Sequence, residues 1–109
     1  MVLPSSKYIW THHARDKMRY YRLTESRITR IIRHPARVEE GILEGAIAVM
    51  QVAGGKQYSE IWAMYVVIKS EVKNQRSKVK VITAWRYPGK SPERDPVPSE
   101  VLKEIRKLI

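Results

Sequence analysis

One segment constrains this chain more than any other. Tyr58 to Lys69 is rich in aromatic and β-branched residues, the composition of a strand. Alternation puts Ile61, Ala63, Tyr65 and Val67 on one face and Trp62, Met64, Val66 and Ile68 on the other. Both faces are apolar, so both must be covered. Such a strand is central in its sheet, with a packing layer above and another below. The rest of the chain has to supply those layers and the neighbouring strands.

The neighbours follow. Ala46 to Val52 reads as a strand, joined to the central one through the turn signal Ala53-Gly54-Gly55-Lys56. Lys78 to Tyr87 reads as the last strand, with Val79, Val81, Thr83 and Trp85 on one face. Ser70 to Ser77 is polar and reads as the intervening hairpin loop. Val38 to Leu43 is a weaker strand carrying Gly41. Its Glu39, Glu40 and the nearby Glu44 suit a sheet edge.

The covering layers are helical. Over residues 12–22, Ala14, Met18 and Tyr21 form an apolar stripe, His13, Lys17 and Tyr20 a second stripe, and Arg15, Arg19 and Arg22 a third. A second helix starts at Thr24, a good N-cap, with Glu25 in its first turn. Leu23 and Ile28 are spaced for a hydrophobic staple. Ile28, Ile31 and Ile32 give the buried face, Arg27, Arg30 and His34 the opposite one, and Pro35 ends the run. The connection is so short that an antiparallel helical hairpin is expected. Residues 88–98 hold four of the six prolines and read as a stiff, exposed linker. Ser99 caps a final helix with Val101, Leu102, Ile105, Leu108 and Ile109 on one side. That helix is too short to stand alone, so it must dock on the sheet's second face or on another chain. The expected class is α+β: a helical hairpin on a curved antiparallel sheet of about four strands. Residues 1–87 form one domain, and residues 88–109 a Pro-rich linker and a C-terminal helix.

Charge bears on function. The net charge is +10, and residues 1–37 carry +7 of it: nine Lys/Arg against Asp16 and Glu25. A lopsided positive field favours a polyanion or an acidic protein partner, although a solvated basic surface has the same composition. There is no Cys, which excludes disulfides, thiolate metal sites and Cys nucleophiles. His12, His13 and His34 make a poor metal set, and no cofactor is called for. The longest apolar run, Ile61 to Ile68, is far short of the roughly 20 residues that span a membrane. Met1 to Lys7 lacks a signal peptide's apolar stretch. A cytoplasmic setting and no membrane partner are expected.

Residues 11–18, Thr-His-His-Ala-Arg-Asp-Lys-Met, resemble the opening of a family of small bacterial domains of uncharacterised function, which begin His-Ala-x-x-[Arg/Lys]-Met and continue Arg-x-Ile/Leu-Thr. His13, Ala14, Lys17 and Met18 match, followed by Arg22, Leu23 and Thr24. His34-Pro35 stands where the family often has Asn-Pro, and Val81-Ile82-Thr83-Ala84-Trp85 is similar to its final strand. Tyr21 departs from the polar residue that is common before the Arg. The resemblance covers about residues 8–87. That family is similar in layout to RelE/ParE-type toxins. The resemblance therefore implies an RNA-directed toxin-like domain, with metal-independent RNA cleavage as its catalytic form and an acidic antitoxin-like protein as a partner.

Metal-independent RNA cleavage needs a base for the 2′-hydroxyl, an acid for the leaving oxygen and cations for the phosphorane charge. His13 is the candidate for proton transfer, because imidazole titrates near neutrality. Lys17 lies one turn on, Tyr20 continues the stripe, and Arg86 is placed as a phosphate clamp. Arg15, Arg19, Arg22, Arg27 and Arg30 are candidate nucleic-acid contacts, with Trp85 as a stacking platform. Each has a plainer role: a helix-start hydrogen bond for His13, solvated charge for Lys17 and the arginines, helix-end capping for Arg22, core packing for Trp62 and Trp85. A non-catalytic basic module that binds nucleic acid or an acidic protein is the alternative. Self-association through the C-terminal helix is a third possibility.

Overall fold

The computed structural model describes residues 7–40, 42–69 and 77–107. Residues 70–76 of the expected loop, Gly41, the first six residues, Leu108 and Ile109 lie outside the described residues. The elements, in order, are β1 (Tyr8–Trp10), α1 (His12–Tyr21), α2 (Glu25–Arg33), β2 (Arg37–Glu40), β3 (Ile47–Val52), β4 (Ser59–Ile68), β5 (Lys78–Pro88) and α3 (Ser99–Lys107). The class is α+β.

The sheet differs from expectation in two respects. It has five strands in the order β1-β5-β4-β3-β2, and it is mixed rather than antiparallel, because β1 pairs parallel with β5. The extra strand is only three residues long. It is held by partners about 70 positions away, Tyr8 on Val79 and Trp10 on Val81, so no local pattern announces it. The other three pairings are antiparallel. As its two apolar faces require, β4 is central: it lies between β3 and β5.

Two cores result, one on each face. Ala14, Met18, Leu23, Ile28 and Ile31 meet Val49, Ile61, Ala63, Val81 and Ala84 on the first. On the second, Val97, Val101 and Ile105 meet Ala48, Met50, Trp62, Met64 and Trp85. The tail helix thus docks on the sheet's second face within its own chain. Val101 and Ile105 of its apolar side are thereby buried within the chain and are not open to a second copy. α1 rests on β5 and α2 on β3 and β4, so the two helices are joined chiefly through the sheet rather than by packing as a hairpin.

The joint between α1 and α2 is built as a left-handed helix end. Arg22 has φ 59° and ψ 49°, and the Arg22 and Leu23 N–H groups donate to the Arg19 and Met18 carbonyls, which closes the last turn of α1. Thr24 then caps α2 by accepting from the Arg27 N–H at 3.1 Å.

The Pro-rich segment is tied to the sheet rather than exposed throughout. Ser91, Pro96 and Val97 are buried. The Trp85 indole N–H donates to the Pro96 carbonyl at 3.1 Å. The strongest tie is Glu60, whose carboxylate is fully buried and accepts from the Tyr58 hydroxyl, the Trp62 indole N–H and both the N–H and hydroxyl of Ser91. Arg37 adds its charge 3.7 Å from Glu60, donates to the Ser91 and Pro92 carbonyls and lies over the Trp62 ring. Glu39 accepts from Arg37 and from the Arg94 N–H.

Candidate functional site

Two groups of polar residues lie along α1 and its junction with β5. The first is at the start of the helix. Thr11 caps α1 by accepting from the Ala14 N–H, and its hydroxyl lies against the carbonyls of Val81 and Ile82. There the pairing of β4 with β5 shifts, with Tyr65 opposite Val81 and Met64 opposite Thr83. This irregularity leaves Ile82 without a partner and sets Thr83 beside the helix. His13 Nε2 shares a 3.1 Å hydrogen bond with Thr83 Oγ1, its direction following the imidazole tautomer.

One turn on, Lys17 Nζ donates to Glu104 Oε1 at 2.9 Å, and Glu104 Oε2 lies 3.6 Å from His13 Nε2. The spacing of His13 and Lys17 on one stripe holds, and α3 brings a carboxylate across both. Burial lowers the His13 pKa from its ordinary 6.5. Glu104 and Asp16 oppose that shift, and Lys17 adds to it. His13 is therefore neutral at neutral pH, with a nitrogen able to accept a proton. Beside it opens a cleft of about 430 Å³, lined by Thr11, His12, His13, Leu43, Glu44, Val66, Lys80 and Ile82.

Tyr20 is 75% exposed. Its ring meets Lys17 Nζ at 5.5 Å and Tyr21 edge-on. Tyr21 is the tyrosine that packs inward, against both cores. Burial raises its phenol pKa above the ordinary 10, while nearby Lys17 lowers it and Tyr20, Glu104 and Glu100 raise it further.

Arg86 does not join His13. Its Nε donates to the Tyr21 carbonyl at 2.9 Å, at the far end of α1. The eight-residue step from His13 to Tyr21 corresponds to about 12 Å of helix. At that end is the second group. Arg27 donates to the Gln51 side chain and the Val52 carbonyl. Its pKa is lowered by burial and then by the charges of Arg30 and Arg86. No carboxylate pairs with Arg27, Arg30 or Arg86 among the described residues.

The remaining cations behave differently. Arg15 pairs with Glu25 at 2.8 Å and Arg19 with Asp16, so two of the expected nucleic-acid contacts already carry acidic partners. Arg22 is exposed at the helix joint. Trp85 is no stacking platform: it is 0% exposed, lies parallel to Trp62 with ring centroids 5.7 Å apart and gives its N–H to the chain. It faces the second core because it shares a sheet face with Trp62.

Sequence reasoning missed Glu104 and Glu60. Glu60 had a signal, since it falls in register with Trp62 and Met64 on an apolar face. Glu104 had none, being 87 positions from Lys17. No family model, curated protein or solved structure matches this chain.

Proposed function

We propose that this chain is an RNA-directed domain that holds RNA phosphates on the guanidiniums of Arg27, Arg30 and Arg86. The observation that carries it is that no carboxylate pairs with these three cations among the described residues, while Arg27 bonds Gln51 and Gln51 stands in one row of the sheet with Ile61 and Arg86. Like charges at close range cost stability in the free protein, and a phosphate chain relieves that cost. Arginine also suits the role chemically, because its planar fork donates two hydrogen bonds to one phosphate. The choice of RNA over other polyanions comes from the sequence resemblance to RelE/ParE-type domains. The same resemblance makes an acidic antitoxin-like protein a competitor for this surface, and a chain without Cys suits a reducing cytoplasm.

Binding of a labelled RNA, followed by anisotropy over a range of salt, tests this. Removing Arg30, whose guanidinium has no partner among the described residues, weakens binding and flattens the salt dependence by about 0.7 of a log unit per log of salt. Arg15→Ala and Arg19→Ala leave the slope nearly unchanged. An Arg30→Ala variant with unaltered slope would falsify the proposal.

A second, catalytic function is favoured by the His13–Thr83–Lys17 cluster: a neutral imidazole beside a hydroxyl and an ammonium can move a proton and stabilise a phosphorane. Mixed RNA incubated with the protein in chelator then yields cyclic-phosphate ends, and His13→Ala abolishes them. Intact RNA at high protein concentration leaves binding alone.

A further inference from the structure

We infer that His13 and Lys17, with Thr83 positioning the imidazole, form an oxyanion site, separate from the arginine patch, and that Glu104 fills it from within the chain. The inference rests on contacts around one carboxylate. Glu104 Oε1 accepts from Lys17 Nζ at 2.9 Å, and Oε2 stands 3.6 Å from His13 Nε2. The imidazole in turn meets the Thr83 hydroxyl at 3.1 Å. An ammonium and an imidazole nitrogen facing the two oxygens of one carboxylate are the kind of donors that hold a phosphate or sulfate, and Thr83 Oγ1, on the same imidazole nitrogen, fixes the ring beside them.

The site is shielded: only 18% of the Lys17 side chain and 16% of the His13 side chain are exposed. Other charges nearby are accounted for. Asp16 is held by Arg19. Tyr21, beside Lys17 and Glu104, is kept protonated by burial. Lys80 and Glu44 line the adjoining cleft, which has His13 in its wall.

Glu104 reaches the site because α3 is seated by its neighbours. Val101 and Ile105 are buried against Trp62 and Trp85, which leaves Glu104 on the side of the helix that faces α1. The carboxylate is then a resident competitor. An external phosphate binds with its own affinity reduced by the fraction of molecules in which Glu104 is withdrawn. The inference does not depend on whether the arginine patch binds RNA. It would supply the anion-holding half of the catalytic function.

The test is a titration of the full chain with inorganic phosphate, followed by NMR at the His13 ring and, separately, at the Arg27 and Arg30 side chains. In the Glu104→Gln variant, phosphate binds about tenfold or more tightly than in the unaltered protein, with the response at His13. Adding Lys17→Ala removes that gain. Glu100→Gln, one turn away on the same helix, does not produce it. The near-ultraviolet signal of Trp62 and Trp85 reports whether α3 stays seated. If Glu104→Gln loosens α3, Glu104→Asp keeps the charge, shortens the arm and gives the same readout. Equal phosphate affinity with and without the Glu104 substitution overturns the inference, as does a response confined to Arg27 and Arg30.

Discussion

Glu104 reaches across from the last helix to Lys17 on the first, with Oε1 and Nζ 2.9 Å apart. The contact joins the two ends of the chain over the edge of β5. It places α3 against the stripe of α1 that carries His13 and Lys17. The stability of α3's seat, and of the segment that leads to it, therefore bears directly on the site.

Acid should weaken the fold in two stages. The His13 pKa is lowered by burial, below the 6.5 of an unfolded chain, so the unfolded state takes up the proton first. The corresponding stability is complete above about pH 6.5 and is lost as pH falls through the folded value. Glu39 is held below 4.5, mainly by its hydrogen bond from Arg37. Glu60 is held there too: burial raises its pKa, and hydrogen bonds from Ser91, Tyr58 and Trp62 outweigh that effect. Their contributions are complete above about pH 4.5 and fall away below it. Urea midpoints measured from about pH 8 to about pH 3 resolve the stages. His13→Asn flattens the upper one and leaves the lower; an unchanged upper stage contradicts the assignment to His13.

Glu60→Gln should cost about 1–3 kcal/mol, because the new amide turns a donor toward groups that already donate. The loss reads as a lower urea midpoint with an unchanged slope. Trp85 fluorescence shifts with it if the segment at Ser91 and Pro96 comes away. A variant as stable as the parent would mean that the buried carboxylate does not fasten that segment.

Ile105 is fully buried among Trp62, Trp85 and Val101. Ile105→Ala should cost about 2–5 kcal/mol and release α3 ahead of the sheet. Hydrogen exchange distinguishes this from global loss: amides of α3 lose protection first. Uniform loss across β4 and α3 would make the tail a full member of a single cooperative unit.

Arg22→Gly should be neutral or stabilising, by up to about 1 kcal/mol, against the usual direction for a helix-end substitution. Arg22 occupies a left-handed conformation, φ 59°, which glycine adopts without a Cβ penalty. Thermal denaturation measures this, and a clear loss would show that the Arg22 side chain contributes more than its strained backbone costs.

Much of this was legible beforehand. The central strand, its two apolar faces, the ends of α1 and α2, and the need for a cover on both faces all follow from alternation, spacing, capping and proline. The structure gives Ile47–Val52 and Ser59–Ile68 for two strands expected at Ala46–Val52 and Tyr58–Lys69. The His13–Lys17 stripe was visible for the same reason, since helical spacing is local. β1 was not legible, because its pairing partners lie far along the chain. Trp85 was read two ways, as a core residue and as a stacking platform; its register opposite Trp62 put it in the core. Arg86 looked like a partner for His13 by chemistry, and helix length separates them.

The sequence by itself therefore determined the elements other than β1, the class and the stripe of His13 and Lys17. These depend on periodicity and on backbone preferences that act over a few residues. Only the tertiary structure decided what those residues meet. Glu104 opposite Lys17, Thr83 opposite His13, and Arg27 with Arg30 and Arg86 depend on strand register and on where α3 comes to rest. Those are set by how two sheet faces fill with side chains drawn from the whole chain, and a short window of sequence does not contain that information.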